Sequence, residues 1–147
     1  MEIISKKLLH WFVNQQATKS QINKDQGMAK ILIVDDASLI RMVALKAVIE
    51  AGHEAVLAEN GLQGVEIFKS TPIDFIFSDI NMPVMGGFDM IREIKQLPGG
   101  SFIPIVMLTT ESNEELKAQG KALGVNAWLL KPFNKEKFML VLKKLCR

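Results

Sequence analysis

The sequence predicts a doubly wound α/β fold, with five parallel strands in the order 2-1-3-4-5 covered on both faces by five helices. Three observations point there. Short apolar runs alternate with amphipathic stretches from Lys30 to Leu145, the pattern of repeated strand–helix units. The runs are apolar almost throughout, as strands buried on both faces are. Two of them stop abruptly in acid, at Asp35-Asp36 and at Asp79. In an open parallel sheet the ligand crevice lies beyond the carboxyl ends of the strands.

The first strand is placed at Lys30–Val34 and is followed by a helix over Ser38–Ala51, with Leu39, Val43 and Ala47 at helical spacing. Gly52 sits where a helix C-cap belongs. Glu54–Ala58 reads as the second strand and Leu62–Ser70 as the second helix, with Val65 and Phe68 on one face. Ile73–Ser78 is the third strand, opened by Pro72, where a missing N–H is tolerated. A helix over Phe88–Gln96 leads to the fourth strand, Ile103–Thr109, with Pro104 near its start. A helix over Asn113–Leu123 is closed by Gly124, and the strand Asn126–Leu130 and the helix Lys135–Leu145 complete the pattern. Right-handed crossovers leave few topologies. The flavodoxin-like order 2-1-3-4-5 is the common one for five strands.

Met1–Gly27 stands apart as an N-terminal extension to a domain spanning 28–147. Ile4, Leu8, Trp11 and Phe12 share one helical face, and Lys6, His10 and Asn14 lie on the other. Gln15 to Gly27 is polar and reads as a linker. Met28 is an alternative start, because the first strand follows it directly. Self-association through residues 1–27 is one expectation for this face.

The 147 residues suffice for one domain with a core, and 48% are apolar. The net charge of +2 comes from the extension, where four lysines face two acids. The rest balances, which gives no electrostatic case for nucleic acid. No apolar run approaches the roughly 20 residues of a membrane span, and no signal-peptide pattern is present. Cys146 is the single cysteine, which fits a reducing compartment and an inert thiol; a cytoplasmic location is expected. Met42, Met90 and Met107 are placed in the core. His10 and His53 are read as solvated.

With strands 1 and 3 adjacent, Asp35, Asp36 and Asp79 meet at one rim, and Thr109 and Lys131 close strands 4 and 5 on the same side. Clustered carboxylates repel and raise each other's pKa. A hard divalent cation relieves that repulsion, and an all-oxygen ligand set suits Mg²⁺. Taken singly, an Asp-Asp pair after a strand also serves as a helix cap, Thr109 as a β-branched strand residue and Trp128 as core. Their joint occurrence in order at successive strand ends favours a shared site.

The motifs ILIVDD (Ile31–Asp36), SDINMPVMGG (Ser78–Gly87), LTTE (Leu108–Glu111) and WLLKPF (Trp128–Phe133) resemble those of response regulator receiver domains. Within that family the chain is most similar to the CheY-like single-domain chemotaxis receivers. The resemblance covers about 120 residues, from Met28 onward. It implies Asp79 as phosphoacceptor and Asp36 as a direct Mg²⁺ ligand. Asp35 would orient metal-bound water, and the Asn81 carbonyl would complete the metal site. Thr109 matches the switch hydroxyl, Lys131 the phosphate-pairing amine and Trp128 the aromatic switch, with a cis peptide before Pro132. Asn81 and Glu111, two positions past Asp79 and Thr109, match residues of fast-cycling receivers and imply self-dephosphorylation. A histidine kinase of chemotaxis type is the implied donor. A flagellar motor switch is the implied target, docking on the surface of helix 4, strand 5 and helix 5. Gly86-Gly87 departs from the usual acid-Gly or Asn-Gly pair and is expected to alter only the local turn.

Other functions remain open at this point. A receiver outside chemotaxis, acting as a phosphate sink or relay, has the same motifs. A small Mg²⁺-dependent aspartyl phosphohydrolase usually carries a second acid two residues past its nucleophile, where this chain has Asn81. A flavodoxin-like nucleotide binder lacks support, since no Gly-rich phosphate loop follows the first strand. Only Cys146 and Arg147 follow Leu145, so no DNA-binding or enzymatic output domain is expected.

Overall fold

The computed structural model describes residues 27–111 and 113–146. The amphipathic helix expected before the domain and all of its linker but Gly27 lie outside the described residues. The described residues alternate strand and helix: β1 (Lys30–Val34), α1 (Ser38–Glu50), β2 (Glu54–Ala58), α2 (Gly61–Ser70), β3 (Phe75–Asp79), α3 (Gly87–Lys95), β4 (Ile105–Thr109), α4 (Glu114–Ala122), β5 (Ala127–Leu130) and α5 (Lys135–Cys146). The strands form one sheet in the order β2-β1-β3-β4-β5, and every pairing is parallel. The predicted topology is therefore the observed one.

Side chains alternate across the sheet with period two and so build two cores. Ile31, Ile33, Phe75, Phe77, Val106 and Leu108 meet α1 and α5 on one face. Leu32, Val34, Ile76, Ile105 and Met107 meet α2 and α3 on the other. Helix α5 is anchored by Phe138, Leu142 and Leu145, all fully buried or nearly so, with the Phe138 ring 4.4 Å from that of Phe77. Each such side chain contributes about 1.5–3 kcal/mol by leaving water.

Several expected boundaries shift by a residue or two, for a local reason. Asp74 turns its carboxylate to accept the Lys30 N–H at 2.9 Å, so β3 begins at Phe75 rather than Ile73. Asn126 likewise accepts the Ile105 N–H through Oδ1 at 2.8 Å, and β5 begins after it. Pro104 has no N–H to give, so β4 begins at Ile105. Side-chain bonds to the backbone compete with ladder bonds at these strand starts. Asn60 and Asn113 cap α2 and α4 in the same currency, accepting from Gln63 N–H and Leu116 N–H. Gly52 and Gly124 take φ of 89° and 84°, as helix-ending glycines do.

Three sequence expectations need correction. The buried stripe of α1 runs through Ile40, Ala44, Ala47 and Val48 rather than Leu39, which is 72% exposed. Met42 is half exposed instead of in the core, whereas Met90 and Met107 are fully buried. His53 is half buried rather than solvated. Its Nδ1 accepts the Ala29 N–H at 2.9 Å and its Nε2 lies 3.6 Å from Cys146 Sγ. Burial holds the imidazole pKa below its usual value, against an opposing pull from Asp74. Burial, followed by Asp74, pushes the Cys146 thiol up to about 12, which favours the protonated form at neutral pH. Among the described residues, no helix is long and apolar enough to cross a membrane.

Candidate functional site

The register places β1 beside β3, with Val34 opposite Ser78, so the two acidic strand ends are neighbours. One carboxylate oxygen from each of Asp35, Asp36 and Asp79 falls in a group with all three within 4.8 Å of one another. Lys131, just beyond β5, points its Nζ into this group, 2.7 Å from Asp35 Oδ2 and 3.3 Å from Asp79 Oδ2. The peptide bond between Lys131 and Pro132 is cis, as the resemblance implies. The Lys131 N–H donates to the Thr109 carbonyl, which ties the lysine's backbone to the end of β4.

The acids differ in environment. Asp35 is fully buried. Its Oδ1 accepts the Ala37 N–H at 3.0 Å, and its Oδ2 is paired with the Lys131 ammonium. Asp36 is exposed. Asp79 lies between them in exposure, and its Oδ1 accepts the Ile80 N–H at 2.8 Å. Burial and then the neighbouring Asp35 raise the Asp79 pKa; Lys131 and the Ile80 N–H pull the other way. At Lys131 burial lowers the pKa, but contact with Asp35 and the field of Asp79 outweigh it, and the net shift is upward. One ammonium thus faces three carboxylates. Three clustered carboxylates supply an all-oxygen ligand set with excess negative charge, which fits a hard divalent cation such as Mg²⁺.

The other sequence candidates sit around this group. Thr109 is buried, and its Oγ1 accepts the Glu111 N–H at 2.9 Å. Trp128 is half buried. It pairs with Met107, so it lies on the same sheet face as Thr109, two residues further along β4. Its ring occupies space that only a glycine leaves on α4: a Cβ on Gly120 would come 2.5 Å from it. Asn81 and Glu111, two positions past Asp79 and Thr109, are exposed.

Two features escape sequence reasoning. Arg41 of α1 donates from Nη1 to the Asp35 carbonyl at 2.7 Å and so pins the backbone that presents both acids. An arginine in the first turns of a helix gives no signal apart from a solvated charge. The Gly86-Gly87 pair is expected to alter only the local turn, but Gly87 does more. A Cβ there would lie 2.1 Å from the Asp79 carbonyl oxygen, so only glycine lets α3 start against the end of β3. In the same loop Val84 has φ of 70° and is 76% exposed, a strained setting for a β-branched residue.

Comparison with known proteins is consistent with this geometry. The family model for the response regulator receiver domain matches residues 31–143. The chain is 39% identical over 110 residues to the protein PilH of Pseudomonas aeruginosa, covering 74% of this chain and 90% of PilH. The crystallised chemotaxis protein CheY4 of Vibrio cholerae is 40% identical with a TM-score of 0.77, covering 80% of this chain and 98% of that one. The receiver domain of a sensor histidine kinase from Pseudomonas aeruginosa, solved with a magnesium ion in its active-site cleft, is 26% identical with a TM-score of 0.73. That match covers 80% of this chain and 97% of the other.

Proposed function

The chain belongs to the response regulator receiver domain family, and from that membership we propose that it is a phosphorylation switch with Asp79 as phosphoacceptor. The observation that carries this reading is the position of Asp79, between two further acids and 3.3 Å from the Lys131 ammonium. Asp35, Asp36, Asp79 and the Asn81 carbonyl would hold Mg²⁺, which offsets the negative charge of carboxylate and phosphoryl group when bound. An Asp79 carboxylate oxygen forms a bond to phosphorus as the phosphorus–nitrogen bond of a phosphohistidine breaks, and the imidazole departs with that electron pair. Lys131 pairs with a phosphoryl oxygen, a positioned charge acting where negative charge accumulates. The Thr109 hydroxyl already accepts from Glu111, so its own proton is available to donate to another. Drawing that hydroxyl inward frees space on the sheet face it shares with Trp128. The indole then reorients and alters the face built from α4, β5 and α5, where a target docks.

The donor in this reading is a histidine kinase of chemotaxis type, the target a motor-switch protein and the compartment the cytoplasm. The named relative CheY4 supports the chemotaxis assignment. The similarity to PilH favours a second reading, a receiver serving another pathway as sink or relay. Asn81 and Glu111, both exposed, admit and orient water in line with the new bond, so phosphorylation is short-lived. A half-life of many hours with Mg²⁺ and no phosphatase contradicts that point. Transfer from a panel of histidine kinases, read by intact mass, tests the function itself. One kinase should add a single phosphoryl group rapidly to the wild-type chain and none to Asp79→Asn. Equal labelling of that variant rejects the assignment.

A further inference from the structure

A groove of about 530 Å³ runs between α4, β5 and α5, within the size range of ligand pockets. Val125, Trp128 and Val141 give it an apolar floor, and Lys117, Lys121 and Lys144 stand at its rim. It lies at the pole where β5 begins, the end at which the chain enters β1. In the chain before β1, Ile4, Leu8, Trp11 and Phe12 recur at helical spacing. A helix of that length is marginal in water unless its apolar face is covered.

We propose that residues 1–14 are an intramolecular ligand of this groove, seating Leu8, Trp11 and Phe12 against Val125, Trp128 and Val141. Reach favours it. Strands β1 and β5 are three positions apart in the sheet, about 15 Å at the usual strand spacing. Gln15–Gly27 has 13 residues of polar composition, and a linker of that length spans about 20 Å root-mean-square. A linker matched to the gap gives an effective concentration on the order of millimolar, well above that of a second copy in dilute solution. The chemistry matches too. Lysine stems extend an apolar wall while their ammonium groups stay in water. Those ammonium groups are attracted to the ring faces of Trp11 and Phe12. Lys6 and His10 lie on the opposite helical face, away from the rim lysines. The consequence rests on the reading of this face as the docking surface for a target: the extension competes with that target.

The chain's two tryptophans supply the test, since Trp11 is in the extension and Trp128 in the groove. In the full chain carrying Trp11→Phe, Trp128 reports alone. Adding Leu8→Asp and Phe12→Asp should red-shift its emission and increase quenching by acrylamide, with the domain's melting temperature unchanged. Val141→Asp, with the extension otherwise intact, should release the extension and speed tryptic cleavage at Lys6 and Lys7. Identical quenching with and without the two aspartates overturns the proposal. Shielding that grows with protein concentration also overturns it, because the occupant is then a second copy. None of these readouts uses phosphorylation, so the docking fails or stands separately from the assignment of Asp79.

Discussion

Arg41 acts on the acid cluster without touching a carboxylate. Its hydrogen bond to the Asp35 carbonyl fixes the backbone from which Asp35 and Asp36 project, so loss of that bond should loosen both together. Partners that orient metal ligands are typically worth 10–100-fold in metal affinity. Arg41→Gln is expected to weaken Mg²⁺ binding by roughly tenfold, read by titrating Trp128 fluorescence, with Arg41→Lys intermediate and the melting temperature little changed. A second residue, His53, sets a pH dependence. Its folded pKa is lowered from 6.5, first by burial, so the unfolded chain takes up a proton before the folded chain does. Stability from this group is present above pH 6.5 and is lost as pH falls through the window below. His53→Asn retains an acceptor for the Ala29 N–H and should remove that part of the slope in urea denaturation measured across the window.

At the scale of elements, the β3–α3 connection joins the chemistry to the packing. Gly87→Ala forces a methyl group against the Asp79 carbonyl. It should cost about 1–3 kcal/mol, as overpacking does, and slow phosphorylation by displacing Asp79. Val84 has the opposite expectation. Its left-handed backbone costs about 1–2 kcal/mol for an ordinary residue, and Val84→Asn should raise stability by about 1 kcal/mol, measured by the denaturation midpoint. The sequence exposes the elements themselves because strand and helix periods differ. It does not expose where strands start, since the Asp74 and Asn126 side chains take the Lys30 and Ile105 N–H groups at the strand ends. Nor does it show that Leu39 and Met42 face outward, because an apolar residue at helical spacing reads the same on either flank of the buried stripe.

For the whole molecule, strand order brings together acids that are more than forty residues apart in sequence. The three carboxylates and Lys131 were readable because each ends a strand and the ends share a rim. Arg41, Gly87 and the His53–Cys146 contact were not, because they depend on which backbone atoms approach in three dimensions. If Trp128 couples the site to the α4–β5–α5 face, its emission should change on adding beryllofluoride with Mg²⁺, and Trp128→Phe should abolish most of the response. A variant that keeps the whole change contradicts that coupling. The most direct test of the account is chemical trapping of the phosphorylated residue. Borohydride reduces an aspartyl phosphate to homoserine, leaving a permanent mark. After incubation with acetyl phosphate and Mg²⁺, peptide mass mapping is predicted to find homoserine at position 79 and at no other aspartate. Homoserine at Asp35 or Asp36, or unreduced Asp79 in a chain that has taken up phosphate, would contradict it.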